Sequence, residues 1–222
     1  MTDTIFDWTE LVGIGSPGWT TRSYQAGAII ANAGAQDGRV YVVVSGWGSI
    51  DRTLADGKRQ IIDFTLPGDL VSLWSNGKPL RESFRAITDV TVQDIPAPAF
   101  HKALMRDMST AEIGFRALNR QSAIRTEHIV NCGVRNAQAR MAHLLLELLA
   151  RTDDGKRHED GYEWPLTQSD LADALGLTAV HVNRTLAGLR RRNLVDYRYG
   201  RLKLLDRRGL KAVADFEELY LS

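Results

Sequence analysis

The sequence predicts an α+β chain in three parts: a closed β domain of short strands, a long helix, and a C-terminal winged helix-turn-helix. Three observations carry the prediction. Between residues 20 and 98, short β-prone runs alternate with glycine turns. From about Ala99 to Cys132, no proline interrupts an apolar repeat of helical period. From Leu166 to Leu205, a capped short helix, a glycine turn, a second helix and a hairpin follow one another. The expected boundaries are 1–98, 99–132 and 133–222.

In the first part the runs are Ile29-Ile30, Val40 to Ser45, Ser49 to Leu54, Arg59 to Phe64, Asp69 to Leu73, Ser83 to Ile87 and Val90 to Ile95. Turns fall at Gly27, Gly34, Gly38, Gly46, Asp56-Gly57, Pro67-Gly68 and Asn76-Gly77. Strands repeating every ~8 to 12 residues favour a small sandwich or roll over a parallel sheet, whose strands would be separated by helices.

The helical part places Met108, Ala111, Phe115, Leu118, Ser122, Arg125, Ile129 and Cys132 at alternating steps of three and four. This is the seam of a two-stranded coiled coil, interrupted by Ser122 and Arg125. The same stripe would suit a helix lying on its own β domain. Dimerisation is favoured because a lone helix-turn-helix buries too little surface for tight specific binding, whereas a twofold dimer reads two half-sites. Beyond Gly133, Asn136 is expected to cap a further helix to about Arg151, with Met141, Leu144, Leu145 and Leu148 inward. Thr152 to Glu163 reads as a polar loop.

In the last part Thr167 and Asp170 form a capping box, and Leu171, Ala172 and Leu175 make one apolar stripe. Gly176 permits the left-handed backbone that ends this helix, and Thr178 caps the next. There Val182, Leu186 and Leu189 must face the core, which turns Val180, Arg184, Ala187 and Arg191 outward, flanked by His181 and Asn183. A guanidinium fork matches guanine O6/N7 and a carboxamide matches adenine N6/N7, so this face suits the major groove of DNA. Ten Lys/Arg against two acids between Arg184 and Lys211 give a local excess of eight, in a chain whose net charge is only +1. That excess is the phosphate footprint of a DNA-binding module. Leu194 to Leu205 alternates like a hairpin turning near Gly200, a wing.

The remaining signals exclude more than they add. The chain is 44% hydrophobic and 25% charged, an ordinary globular composition. It carries no apolar run of the ~20 residues that cross a bilayer and no secretory N-terminus, so a bacterial-type cytoplasm is expected. A single cysteine, Cys132, excludes an intrachain disulfide and a cysteine metal cluster, and packing is its expected role. Gly13 to Gly18 spells G-x-G-x-x-G without a preceding strand. The pairs Asp153-Asp154 and Glu159-Asp160 lie in a polar connector that gives neither enclosure nor perturbed acidity. No nucleophile elbow, zinc-protease motif or P-loop occurs, and residues 20 to 98 hold no histidine for a cupin-like metal site, so no enzyme is expected. His101, His128, His143 and His158 follow no ligand spacing and are expected at the surface or in packing.

The order of these parts resembles the CRP/FNR family of bacterial transcription regulators. The resemblance rests on Val42-Val-Val-Ser-Gly, on Asp56-Gly-Lys-Arg-Gln-Ile-Ile-Asp-Phe-Thr-Leu-Pro-Gly-Asp-Leu, and on Leu166-Thr-Gln-Ser-Asp-Leu-Ala-Asp-Ala-Leu-Gly-Leu-Thr with Val182-Asn-Arg-Thr-Leu. It implies a cyclic-nucleotide-binding-like β-roll (a double-stranded β-helix), a dimerisation helix, and a homodimer on a palindromic promoter site with RNA polymerase as partner. It further implies that Arg184 contacts guanine, that Asn183 sits at a base-contacting position, and that Thr167 and Gln168 touch phosphate; Thr178, His181 and Arg191 complete the expected DNA contacts. Val180 stands where the family has a base-reading glutamate, and valine can only pack on a thymine methyl. The expected effector pocket involves Leu70, Ser72, Trp74, Arg81, Ser122 and Arg125. Leu80 falls where cyclic-AMP-binding members have the phosphate arginine, with Arg81 one residue out of register, so an effector other than cyclic AMP, or none, is expected. The alternative is a cyclic nucleotide in a pocket rearranged around Arg81. One cysteine excludes an FNR-type iron–sulfur cluster; haem stays open, needing only an axial histidine or similar.

Overall fold

The computed structural model of the chain describes residues 18–36, 38–73, 78–106, 108–152, 161–198 and 200–221. Trp74, the Asn76-Gly77 turn, His158, the two acidic pairs and all of the G-x-G-x-x-G segment but Gly18 lie outside them. The chain divides into two compact units, one running to Ala123 and the other starting at Ile124. Among the described residues no helix is long and apolar enough to cross a membrane.

The first unit is an antiparallel β-sandwich. Its strands are β1 (Thr20–Tyr24), β2 (Ile29–Ala31), β3 (Arg39–Ser45), β4 (Gly48–Thr53), β5 (Arg59–Thr65), β6 (Leu70–Ser72), β7 (Ser83–Ala86) and β8 (Val90–Pro96). They form sheets of order β1-β8-β3-β6 and β2-β7-β4-β5. β3 explains why its apolar run does not alternate. Tyr41 and Val43 point into the sandwich with Ile50, Phe84 and Val92, while Val40 and Val42 pack on the other side with Leu70, Ile95 and Phe100. A strand covered on both faces has no polar side to show. β1 escaped the sequence reading for the opposite reason. It is an edge strand, exposed over nearly its whole length, held to β8 by backbone pairing and by Arg22 against Asp94 at 3.1 Å.

The long helical segment is two helices, not one. α1 (Ala97–Leu104) ends before α2 (Met108–Gly133), which corrects the continuous helix expected from Ala99 to Cys132. Leu104, Ile113 and Ala117 all pack on the cluster around Phe100, and a straight helix would carry them away from it. The return is close: a Cβ on Gly114 would stand 2.6 Å from Leu104 Cδ2, so a larger residue there would require the Leu104 side chain to move. Arg120 Nη1 on Asp69 (3.0 Å) and Gln121 Nε2 on the Leu70 carbonyl (2.7 Å) then fix α2 beside the entry of β6.

The second unit contains the end of α2, then α3 (Ala137–Thr152), β9 (Tyr162–Glu163), α4 (Gln168–Leu175), α5 (Ala179–Arg191), β10 (Val195–Arg198), β11 (Arg201–Leu204), α6 (Arg207–Ala214) and a 3-10 turn, Glu218–Leu221. Asn136 caps α3, its Oδ1 accepting from the amides of Gln138 and Ala139 at 3.1 Å each. α3 packs against α4, α5, α6 and the 3-10 turn, and is buried nearly all round rather than along the one expected stripe. The segment expected to be a loop up to Glu163 ends as β9, which pairs with β11 and adds a third strand to the wing sheet. Two residues of backbone pairing leave no periodic signature.

Candidate nucleic-acid interface

α4 and α5 have the ends their sequences specify. The Asp170 amide donates to Thr167 Oγ1 at 3.1 Å and the Thr167 amide donates to Asp170 Oδ2 at 3.0 Å, a complete capping box. Gly176 closes α4 at φ 62°, its amide donating to the Ala172 carbonyl. Thr178 Oγ1 accepts from the His181 amide at 3.2 Å and opens α5. Val182, Leu186 and Leu189 are buried against the unit's core.

The opposite face of α5 is open. Val180 is 63% exposed, and His181, Asn183, Arg184 and Arg191 are exposed with it. Arg184 and Arg191 make no hydrogen bond or ion pair among the described residues, so both guanidinium groups are available. Thr178, Val180, His181 and Arg184 line one open groove of about 480 Å³, walled on its other side by Asn136, Ala137 and Gln138. The groove therefore brings together four of the eight expected contacts, and adds the start of α3, which sequence reasoning missed. Its signal was present in the Asn136 cap. Gln138 also accepts from Arg192 Nη1 at 3.3 Å, which holds that wall against the end of α5.

Gln168 and Thr167 lie exposed at the start of α4. The Thr167 hydroxyl donates to Asp170 Oδ2 at 2.6 Å, so its proton is already engaged. The positive excess is also smaller in space than along the chain. Asp196 takes Arg198 at 2.9 Å and Arg190 at 3.4 Å, and Glu218, beyond the counted window, takes Lys211 at 2.9 Å and Arg207 at 3.0 Å. Asp206 caps α6 by accepting from the Gly209 amide at 2.9 Å. The cations nearest the open face of α5 are outside those pairs.

The residues expected to hold an effector differ in burial. Leu70 packs in the cluster beneath α1, whereas Leu80 is buried inside the sandwich beside Phe84. Ser72 is half-buried, Arg81 and Ser122 are exposed, and Arg125 is half-buried with its Nε shielded and unbonded. Burial raises the Cys132 thiol above its usual value, and its Sγ faces the Ala174 carbonyl at 3.8 Å, which makes it a weak nucleophile.

A buried polar cluster around α3 was invisible in the sequence. His128 Nε2 donates to Glu147, 3.0 Å from Oε2; Arg151 Nη1 donates to Oε1 at 3.0 Å and the Tyr220 hydroxyl to Oε2 at 3.2 Å. Burial pushes the Glu147 carboxyl up, but His128 and Arg151 outweigh it and hold it at about 2. Burial pushes His143 down to about 4, with Arg135 acting in the same direction. Tyr220, half-buried against that carboxylate, is pushed above its ordinary value by desolvation and by the Glu147 charge. His128 and His143 are thus interior hydrogen-bonding groups, whereas His101 is exposed.

Residues 139–213 match the Crp-like helix-turn-helix domain family, and residues 21–107 the cyclic nucleotide-binding domain family. The chain is similar to the nitrogen fixation regulation protein FixK of Bradyrhizobium diazoefficiens, 33% identical over 175 residues that span 78% of this chain and 73% of that one. It is similar to the transcriptional activator protein FnrL of Cereibacter sphaeroides, 32% identical over 186 residues, 78% of this chain and 71% of that one. The structure of FixK2 from Bradyrhizobium japonicum superposes with a TM-score of 0.78 at 28% identity, covering 88% of this chain and 96% of the other.

Proposed function

The chain belongs to the CRP/FNR family of DNA-binding transcription regulators, and from that premise we propose that it acts as a homodimer whose two α5 helices read the half-sites of a palindrome. The observation that carries the reading is the open face of α5, with Arg184 unpaired in a groove beside a second helix start. In this reading Arg184 forks onto guanine O6/N7, Asn183 contacts a base, Val180 packs on a thymine methyl, and Thr167, Gln168, Thr178, His181 and Arg191 meet phosphates. The dimer seam is the exposed stripe of α2: Met108 is 84% exposed, Phe115 67% and Ile129 72%, a density of bare apolar side chains that a partner helix would cover. Residues 1–98 act as the sensor-like domain and 133–222 as the reader, with RNA polymerase as partner and the cytoplasm as setting. Selection of bound duplexes from random DNA, together with sedimentation of the free protein, tests this; a monomer with equal affinity for all duplexes refutes it.

The effector in this proposal is not cyclic AMP, because Leu80 is buried among apolar side chains and can bind no phosphate. A second reading, a cyclic nucleotide in a pocket around Arg81, is favoured by the match of residues 21–107 to cyclic nucleotide-binding domains. Calorimetry with cyclic AMP and cyclic GMP separates the two, and an absorption spectrum tests for haem.

A further inference from the structure

The orientation of every group around His143 follows from what each neighbour can donate. Arg135 has only donors, and its Nη1 lies 3.0 Å from Asn131, so the amide atom facing it is the oxygen. The Asn131 nitrogen therefore faces His143 Nδ1 at 3.1 Å and must donate to it. Nδ1 carries no proton; the ring proton sits on Nε2, which faces Glu127 Oε2 at 3.3 Å. His143 is 1% exposed, stacked on Tyr220 and met edge-on by Phe216. A proton on Nδ1 would face the Asn131 NH₂, donor against donor, and turning the Asn131 amide to accept it would set the amide NH₂ against Arg135.

The bonds so arranged join two elements. Glu127 and Asn131 belong to the last turns of α2 and Arg135 to the elbow after it, while His143 belongs to α3, on which α4, α5 and α6 are packed. We propose that His143, as a neutral imidazole, is a positioning residue for DNA reading: through Asn131 and Glu127 it latches the end of α2 to the helix that carries α5, and protonation opens the latch. This rests on the reading of DNA by α5. The charged groups facing His143 are Glu127 and His128 on α2, Arg135 in the elbow and Glu147 on its own helix, with the neutral Tyr220 stacked from the C-terminal turn. Burial and Arg135 oppose protonation in the latched form, and the released ring recovers an ordinary basicity.

The test uses the full chain and a palindromic duplex recovered by selection from random DNA. Affinity of the wild type is compared with that of His143→Gln, which keeps a neutral donor and cannot titrate, between about pH 8 and about pH 5. With His143 at about 4 when latched and 6.5 when released, linkage shifts the latch toward release by up to about 30-fold over that range. The wild type should lose affinity relative to His143→Gln by up to that factor. Both proteins carry the same groove, so any acid dependence of the groove itself cancels in the ratio. Parallel pH profiles overturn the proposal. Should His143→Gln not fold, the ¹⁵N signals of the wild-type ring decide: the Nε2–H form supports the latch and the Nδ1–H form ends it. A wild type that binds no duplex at about pH 8 refutes the DNA-reading function instead, and the ring signals still decide the latch.

Discussion

Arg140 donates from Nη1 to the Leu175 carbonyl at 3.1 Å, and its Nε reaches back to the Arg135 carbonyl at 2.7 Å. One guanidinium thus ties the last turn of α4, just before the Gly176 turn, to the elbow that leads into α3. The Leu175 carbonyl is among those a helix end leaves without an internal partner, and the Arg135 carbonyl lies in the elbow outside both helices. Arg140→Ala should cost about 1–3 kcal/mol of stability, because charge-assisted bonds to partly buried acceptors are lost together. Urea unfolding monitored by circular dichroism checks this, and an unchanged midpoint would deny the bridge any role.

Arg184 and Arg191 stand on one open face and should fail differently. Arg184→Ala is expected to lose ~1–3 kcal/mol on the selected site and to relax preference at one base pair, while Arg191→Ala weakens all duplexes alike and flattens the salt slope by about one. Titrations on specific and random DNA across salt concentrations distinguish them. Equal losses on both DNAs for Arg184→Ala would remove its base-reading role.

The capping box makes Thr167 a stability residue whatever it touches on DNA. Thr167→Ala should lower stability by about 0.5–2 kcal/mol, and Thr167→Ser should restore most of it, since a serine hydroxyl can serve the same two bonds. Thermal unfolding of the two variants measures the difference. A loss of DNA affinity that persists in Thr167→Ser would point to a contact of the threonine methyl.

The seam of α2 offers a sharp test of the dimer. Phe115→Asp places a charge in the middle of the proposed interface, where an unpaired carboxylate resists burial. Sedimentation should show a monomer with unchanged helix content and much weaker binding to a palindrome. A dimer of unaltered stability would move the interface elsewhere.

Acid should destabilise the second unit in two successive windows. His143 lies at about 4 in the folded chain against 6.5 when free, so the unfolded state takes up a proton that the folded state refuses, and stability falls as pH drops from 6.5 toward 4. Glu147 lies at about 2 against 4.5, so its contribution, present above 4.5, is lost as pH drops toward 2. Each window is worth on the order of a few kcal/mol at most. Glu147→Gln should flatten the lower window and keep or deepen the upper one, because the Glu147 carboxylate favours the charged His143 ring; unfolding measured against pH would reveal both.

The reading module was legible almost residue by residue. Thr167, Gly176 and Thr178 act on backbone groups within four positions of themselves, so the caps and turn follow from local chemistry alone. The β strands were legible wherever glycine turns bounded an apolar run, and β1 and β9 were not, because an exposed edge strand and a two-residue strand bury no stripe. The groove was half legible. Val180, His181 and Arg184 follow from the helical period, whereas Gln138 enters only because α3 starts beside α5.

By itself the sequence determined the local grammar of this protein: which residues start and stop helices, which face of α5 is apolar, and that the chain runs from β-sandwich through helix to winged helix-turn-helix. Only the tertiary structure decided that the central helix breaks after Leu104, that Asp196 and Glu218 neutralise four of the cations, and that His128, His143, Glu147 and Tyr220 meet in one interior cluster. The reason is the range of the forces involved. Caps and periodicity act over a turn or two of backbone, but burial and ion pairing depend on which distant segments share a space, and Glu147 and Tyr220 are joined across 73 residues of chain.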